Sequence, residues 1–471
     1  MDDFLKLDKL SEECGVIGIY APGVEAISQM LCFGLIALQH RGQESAGIAV
    51  LKGDKMQYYK EMGLVQEVFN SAILDRLPAD IGIGHVRYST TGESYVSNAQ
   101  PLVVRYKGGS IALGHNGNLV NASEIRTRLE DEGSIFQTSI DTEVIANLIA
   151  RNYHLGMKEA VIESVREIKG SFALTIMIDH MLIGVRDPNG LRPLSIAKID
   201  GGYVLASETC AHDVVGAEFI RDVQPGEIVI IDSNGIESIM YDTTHRKAIC
   251  SFEYVYFARP DSIIDGRNVF VARKESGKIL ARENPVEADM VIAVPDSGVA
   301  AAIGYAEESG IPYNIGMIKN KYMGRTFIQP DQKSRELAVR LKLNVMKHNV
   351  DGKRIILIDD SIVRGTTSKR IVNMLKAAGA KEVHLRVSSP AVKHPCYFGI
   401  DTPNRLHLVG ATHTNQEICD MIGADSLAYL SIEGLTQAIG FKKCDGLCKA
   451  CFNGDYPMDV PEEADKFMFE S

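Results

Sequence analysis

No apolar run in this sequence is long enough to cross a bilayer, which excludes a membrane-spanning helix. Positive charge is scarce. Fifty Lys and Arg face 61 Asp and Glu, a net charge of −11. The chain as a whole is therefore a poor holder of nucleic acid or of an anionic membrane. The opening residues "MDDFLKLDKLSEE" carry five acids and two bases, and lack the basic start and apolar middle of a secretory signal. A cytoplasmic location is the expectation. Cysteine is sparse, nine in 471 residues, which argues against a disulfide framework and leaves metal binding or catalysis open. Tryptophan is missing altogether, an absence without functional meaning. What is abundant is core material: 45% of residues are hydrophobic, enough for two to four domains or subdomains.

The rhythm of the chain changes part-way. Up to about residue 245 it is rich in short β-like runs, among them "GVIGIY", "AGIAVL", "IGIGHVRYST", "SIALGHNG", "FALTIMI" and "EIVIID", separated by Gly and Asn turns. Helical patterns interrupt these runs at 24–38, 122–131 and 142–153. The pattern predicts stacked antiparallel sheets covered by helices. From about residue 267, helix-like and strand-like segments alternate: "KESGKILARE", "MVIAVPDSG", "VAAAIGYAEESG", "RIILIDD", "TTSKRIVNMLKAAGA", "EVHLRVSS". Alternation predicts a parallel sheet in an α/β half. The boundary falls within 242–262. The tail, 441–471, carries cysteines and then acids.

The most specific string is "RIILIDDSIVRGTTSK", residues 354–369. A buried strand ends on Asp359 and Asp360. A short loop then runs through Val363, Arg364, Gly365, Thr366 and Thr367 into a helix. Ligands of open α/β sheets bind at that end of the strands. Loop amides and a helix N-terminus suit a phosphate. Aspartates repel phosphate and suit ribose hydroxyls or hydrated Mg²⁺. "VIAVPDSG" sets a second polar loop, with Ser297, after another strand. Residues 319–354 hold ten Lys or Arg against three acids, a local +7 that would steer a polyphosphate. Within it, "KYMGRTFIQPDQ" has the composition of a lid, at about 322–336.

The first half carries its own candidates. In "SEECGVIGIY", Cys14 follows two glutamates and opens an apolar run. Arg87 in "GHVRYST" is a fork for a substrate carboxylate, or a surface ion pair. Asn116 and Gly117 in "GHNGNL" suit an oxyanion hole, or a turn. Asp141 in "SIDTEVI" suits an ammonium group, or an N-cap.

"ILIDDSIVRGTT" resembles the signature of type I phosphoribosyltransferases, which bind phosphoribosyl pyrophosphate. The resemblance implies that Asp359 and Asp360 contact ribose hydroxyls and substrate-bound Mg²⁺. It implies that Val363–Thr367 cradles the 5-phosphate and that "PDSG" is the pyrophosphate loop, with Ser297 near the metal. "ECGVIGI" with Arg87, Asn116, Gly117 and Asp141 resembles the class II, N-terminal-nucleophile glutamine amidotransferases. That resemblance implies that residues 1–13 are a propeptide and that Cys14, once freed, is the nucleophile. The two halves in this order resemble the glutamine phosphoribosylpyrophosphate amidotransferase family. The implied organisation is a propeptide (1–13), a glutamine amidotransferase domain of N-terminal-nucleophile hydrolase fold (14–245), a phosphoribosyltransferase domain (246–440) and a C-terminal tail (441–471). The implied reaction makes 5-phosphoribosylamine, glutamate and pyrophosphate from glutamine, phosphoribosyl pyrophosphate and water, the committed step of purine synthesis. Inhibition by purine nucleotides and assembly into homotetramers or dimers are implied too.

"CDGLCKACFNG" ends the inventory. Cys448 and Cys451 form a Cys-x-x-Cys pair that suits a metal, an iron–sulfur cluster or a redox dithiol. Local spacing also admits Cys444. Resemblance to the family's cluster-bearing branch selects Cys250, Cys396, Cys448 and Cys451 as ligands of a four-iron, four-sulfur cluster. Cys32, Cys210 and Cys419 are expected to be small buried residues. Three competing readings carry less. A different class II amidotransferase does not need the string at 355–367. A phosphoribosyl pyrophosphate-binding regulator leaves Cys14 idle. A stand-alone transferase with a zinc tail leaves the first half unexplained.

Overall fold

A computed structural model describes residues 14–88, 94–320, 343–402, 404–441 and 446–461. Among the described residues, the first half supplies thirteen strands: β1 (Gly15–Tyr20), β2 (Ser45–Lys52), β3 (Lys55–Met62), β4 (Ile81–Arg87), β5 (Leu102–Tyr106), β6 (Gly109–Leu119), β7 (Gly170–Ile178), β8 (Met181–Arg186), β9 (Ser195–Ile199), β10 (Gly202–Ala206), β11 (Glu218–Asp222), β12 (Glu227–Asp232) and β13 (Gly235–Met240). They form a seven-stranded antiparallel sheet, β11-β9-β10-β1-β4-β2-β3, and a six-stranded one, β13-β12-β8-β7-β6-β5.

Side-chain alternation builds the layers. On β6 and β7, Ile111, Leu113, Phe172, Leu174 and Ile176 face outward into a core that includes residues of the helices Ala122–Asp131, Thr142–Asn152 and Met157–Glu167. Their neighbours Ala112, Ala173 and Met177 face inward to a second core shared with Val16 and Ile83 of the other sheet. On β1, Ile17 and Ile19 face a third core that includes residues of the helix Ile27–Ala37. The order of layers is helix, sheet, sheet, helix, as the sequence predicts.

Two differences have physical causes. The helix expected over 24–38 spans 27–37. The sequence reading omits β3, β5, β9, β11 and β13, and all of these but β9 are edge strands of the two sheets. β3, "KMQYYKEM", has no fully buried position. An edge strand gets its hydrogen bonds from one neighbour and shows no apolar run to betray it.

In the second half, β17 (Met290–Ala293), β20 (Arg354–Asp359), β21 (Glu382–Val387) and β22 (Ser426–Tyr429) form a parallel sheet in that order. Between β13 and β17 lie β14 (Ala248–Cys250) and the short hairpin of β15 (Ile263–Ile264) and β16 (Arg267–Asn268). Between β17 and β20 lie β18 (Met317–Lys319) and β19 (Leu343–Val345), which pair antiparallel. On β20, Ile356 and Ile358 enter one core and Ile355 and Leu357 the other. Burial on both faces of a strand is what the continuous run "IILI" encodes. The final strand, β23 (Gly446–Cys448), pairs in parallel with β14 and aligns Cys250 with Cys448.

The halves are bound through charge as well as through packing. Arg41 follows the first helix and its side chain is wholly buried. Its Nε donates to the Cys14 carbonyl at 3.0 Å. Its Nη1 donates to Glu208 at 2.6 Å and to Glu253 at 2.9 Å, and its Nη2 donates to Glu253 at 2.7 Å. Glu208 also accepts from the Arg259 backbone N–H and from the Ser262 hydroxyl. Burial raises the Glu208 carboxyl, but His40 and Arg41 outweigh it and hold the group well below the usual carboxylate range.

Candidate active sites

Cys14 sits where β1 begins. β1 pairs with β4, Gly15 opposite Val86, and packs across on β6 and β7. The Cys14 thiol donates to the Tyr88 carbonyl at 3.4 Å. His85 on β4 reaches the His115 carbonyl on β6 at 3.0 Å, so the ends of β4 and β6 share one corner with Cys14. Burial pushes the Cys14 thiol up to about 11. The Tyr88 backbone contact and the Arg87 charge oppose that rise, and Glu44 and Asp141 add to it. A thiol in that range is protonated at neutral pH and needs a base beside it.

Arg87 is 2% exposed, which excludes a surface ion pair. Asn116 and Gly117 lie inside β6, paired with Ala173 and Phe172, so the turn reading of "NGN" is excluded too. Asn116 is fully buried, and neither atom of its carboxamide has a hydrogen-bond partner among the described residues. A buried amide left in that state costs free energy unless a ligand completes it. Gly117 has φ +147, and a Cβ there would lie 2.0 Å from the Ser171 carbonyl oxygen, so only glycine fits. Asp141 heads the helix Thr142–Asn152 without capping it through its side chain. Its carboxylate instead accepts from the Leu119 N–H at 2.9 Å and lies 3.4 Å from His115 Nδ1. Burial raises this carboxyl, and His115 with two backbone N–H groups brings it below its ordinary value. A buried, ionised carboxylate is suited to an ammonium group.

The second site forms at the carboxyl ends of β17 and β20. The Ser297 hydroxyl donates to Asp360 Oδ1 at 2.5 Å, joining the two loops. Ser361 donates to Asp360 Oδ2 at 2.7 Å, and the Asp360 N–H to Asp359 Oδ1 at 3.0 Å. Both aspartates are buried, at 1% and 0% exposed. Gly365, at φ +81, turns the chain into the helix Thr366–Ala377. Val363 is buried and its carbonyl accepts from Val409 N–H at 2.9 Å, so any part it takes in a ligand site is through backbone. Thr366 is exposed and Thr367 is buried at the helix start. Lys319 pairs with Asp296 of the other loop at 3.0 Å. The lid expected at 322–336, residues 1–13 and Cys444 lie outside the described residues.

Cys250, Cys396, Cys448 and Cys451 line one pocket, together with Leu191, Arg192, Phe398, Ile400 and Tyr456. Burial pushes the Cys250 and Cys448 thiols up to about 12. Cys451 is also raised well above its ordinary value, first by burial and then by the nearby sulfurs of Cys448, Cys250 and Cys396. The Phe398 N–H donates to Cys396 Sγ at 3.3 Å. Among the described residues, no three His, Cys, Asp or Glu side chains converge as ligands of one metal ion. Cys32, Cys210 and Cys419 are buried apart from the pocket, as expected.

Residues 85–212 match the family described as a glutamine amidotransferase domain, and residues 267–394 match the phosphoribosyl transferase domain family. The amidophosphoribosyltransferase of Archaeoglobus fulgidus is 54% identical over 457 residues, covering 96% of this chain and 99% of that protein. The Bacillus subtilis amidophosphoribosyltransferase is 52% identical over 458 residues, covering 96% of each. The solved structure of the B. subtilis glutamine phosphoribosylpyrophosphate amidotransferase, complexed with ADP and GMP, superimposes with a TM-score of 0.91 at 51% identity. It covers 96% of this chain and 99% of that one. The chain belongs to the amidophosphoribosyltransferase family. Its glutamine amidotransferase half precedes its phosphoribosyltransferase half, as the motifs imply.

Sequence reading missed the residues that support these sites. Glu253 interrupts the aromatic run "SFEYVYF", and an acid inside such a run signals a buried partner. Glu208 and Arg192 carry no local signal, because their partners are far away in the chain.

If Asp359 and Asp360 orient the transferase substrate, Asn at either position should lower phosphoribosyl transfer by about 10²-fold or more, the scale of a misplaced reacting group. Basal glutamine hydrolysis should survive better. Steady-state assay of both half-reactions reads this directly, and a normal transfer rate in both variants removes the pair from the site.

Proposed function

We propose that this family member transfers glutamine-derived ammonia to phosphoribosyl pyrophosphate, yielding 5-phosphoribosylamine, glutamate and pyrophosphate, the first committed step of purine nucleotide synthesis. The observation that carries the reading is the buried Asn116 carboxamide, without a hydrogen-bond partner among the described residues, on the strand packed beside Cys14. Removal of residues 1–13 would free the Cys14 α-amine, which titrates at about 7.7–8.0 in its ordinary state. That amine takes the thiol proton, supplying the base that the buried thiol lacks. The sulfur adds to the glutamine carboxamide carbon. Asn116 and the Gly117 N–H hold the oxyanion, Arg87 the substrate carboxylate and Asp141 its ammonium. Collapse to a thioester expels ammonia, which carries the amine's proton, and water then releases glutamate.

Ammonia reaches the second site internally and attacks the ribose C1, displacing pyrophosphate. Asp359 and Asp360 hold the ribose hydroxyls and, with Ser297, the substrate's Mg²⁺, which offsets pyrophosphate charge. Their buried carboxylates and the joining Ser297 hydroxyl are a donor set suited to that hard cation. The loop Val363–Thr367, including Arg364 and Gly365, cradles the 5-phosphate.

The cysteine pocket is suited to a four-iron, four-sulfur cluster. Four sulfurs surround a shared space rather than one point, and a backbone N–H already serves Cys396. The cluster would be structural, holding the tail against both halves. Purine nucleotide inhibition, a homotetramer or dimer, and a cytoplasmic location complete the proposal. The ADP and GMP held by the B. subtilis enzyme support the first. Among the described residues, no helix is long and apolar enough to span a membrane.

Cys14→Ala should abolish glutamine use and spare amination by added ammonia, and active wild-type protein should have the intact mass of a chain beginning at Cys14. An active enzyme retaining Met1–Glu13 sinks the nucleophile assignment. Anaerobically purified protein should carry iron and visible cluster absorbance, both lost in Ser variants of Cys250, Cys396, Cys448 and Cys451. Full occupancy in Cys250→Ser or Cys396→Ser, with loss in Cys444→Ser, overturns the ligand set.

A further inference from the structure

A segment of three residues connects the cysteine pocket, which Phe398 lines, to the proposed oxyanion hole. Directly after Cys396, the segment Tyr397–Gly399 leaves the transferase half and lies on β6 and β7. The Ser171 hydroxyl donates to the Phe398 carbonyl at 2.7 Å. The same hydroxyl accepts the Asn118 N–H at 3.2 Å, and the Asn118 side chain donates to the Tyr397 carbonyl at 3.0 Å. Arg192 donates to the Phe398 carbonyl from the pocket side. Gly399, at φ +100, lies so close to Gly117 that a Cβ would come within 3.2 Å of the Gly117 carbonyl carbon and 3.0 Å of Arg192 Nη2. Ser171 and Asn118 are register partners across β7 and β6, one step along from the pair Phe172–Gly117.

These contacts bear on the hole from behind. Gly117 is at a positive φ that only glycine holds comfortably, and the side chain of its neighbour Asn116 has no hydrogen bond among the described residues. Something must fix this stretch of β6 so that its donors stay aimed. The β7 ladder supplies part of that restraint. The Tyr397–Gly399 segment supplies the rest, clamped upstream by the Cys396 N–H on the Thr402 hydroxyl at 2.7 Å and by the Phe398 N–H on Cys396 Sγ. We propose that Tyr397–Gly399 is a positioning segment for the glutaminase oxyanion hole, so that the transferase half and its cysteine pocket set the rate of glutamine hydrolysis. The proposal rests on the reading of Asn116 and Gly117 as oxyanion donors.

Ser171→Ala removes the hydroxyl that joins Phe398 to β6, and Gly399→Ala forces the segment away from Gly117. Both are made in the full chain, with iron content, intact mass and ammonia-dependent transfer measured alongside. The expected result is a glutaminase kcat about 10–10² lower, the scale of a displaced oxyanion donor, with the KM for glutamine within about twofold. Ammonia-dependent transfer and iron should match wild type, because neither residue touches the second site or ligates the pocket. Unchanged kcat in both variants overturns the proposal, as does an equal fall of glutaminase and ammonia-dependent activities, which would mark a merely structural role. Asn116→Ala separates the two layers of inference. Slow turnover there beside full-speed Ser171→Ala and Gly399→Ala overturns the positioning role alone, whereas wild-type kcat in Asn116→Ala removes the oxyanion reading and this proposal with it.

Discussion

The corner around Cys14 depends on one guanidinium that water does not reach. Arg41 holds the Cys14 carbonyl with Nε and spends its other donors on Glu208 and Glu253, one from each half. Taking three charges out of water is expensive, and the arrangement holds only because its donors and acceptors are matched. Removing one partner of such a group typically costs about 3–5 kcal/mol, because the remaining charge stays buried. The Cys14 backbone is thereby tied, through Arg41, to a residue of the transferase half.

Around that anchor the two halves are joined at successive points rather than by a linker. β14 donates its Ala248 and Cys250 N–H groups to the Asn189 and Leu191 carbonyls on one side and pairs with β23 of the tail on the other. Arg192, from that same loop, reaches into the cysteine pocket. The tail is held in turn by Lys393 and His394 N–H groups on the Cys451 carbonyl and by the Phe252–Phe452 stack. A change in the pocket therefore has a short physical route to β6. On the proposed reading, these joints are what would keep ammonia made at the first site from bulk water on its way to the second.

Much of this was legible in the sequence, for identifiable reasons. Asp359 and Asp360 end a doubly buried strand, and the string that follows has one reasonable geometry. The helix–sheet–sheet–helix order follows from apolar runs long enough to be read singly. Asn116 was open between a turn and a catalytic amide, and only its position inside β6, paired with Ala173, decides against the turn. The edge strands were not legible, because half-exposed strands such as β3 carry no apolar period. Neither were Glu208, Glu253 and Arg192. A buried ion group is made by residues as far apart as Arg41 and Glu253, and nothing in either neighbourhood names the other.

Coupling of the two sites is the central claim, and nitrogen tracing tests it most directly. Enzyme turning over amide-¹⁵N-glutamine and phosphoribosyl pyrophosphate is challenged with excess unlabelled ammonium near neutral pH, and the isotope content of the 5-phosphoribosylamine is measured. Retention of the glutamine nitrogen in nearly all of the product is expected if ammonia passes between the halves without release. Dilution of the label to the isotope ratio of the bulk solution contradicts it.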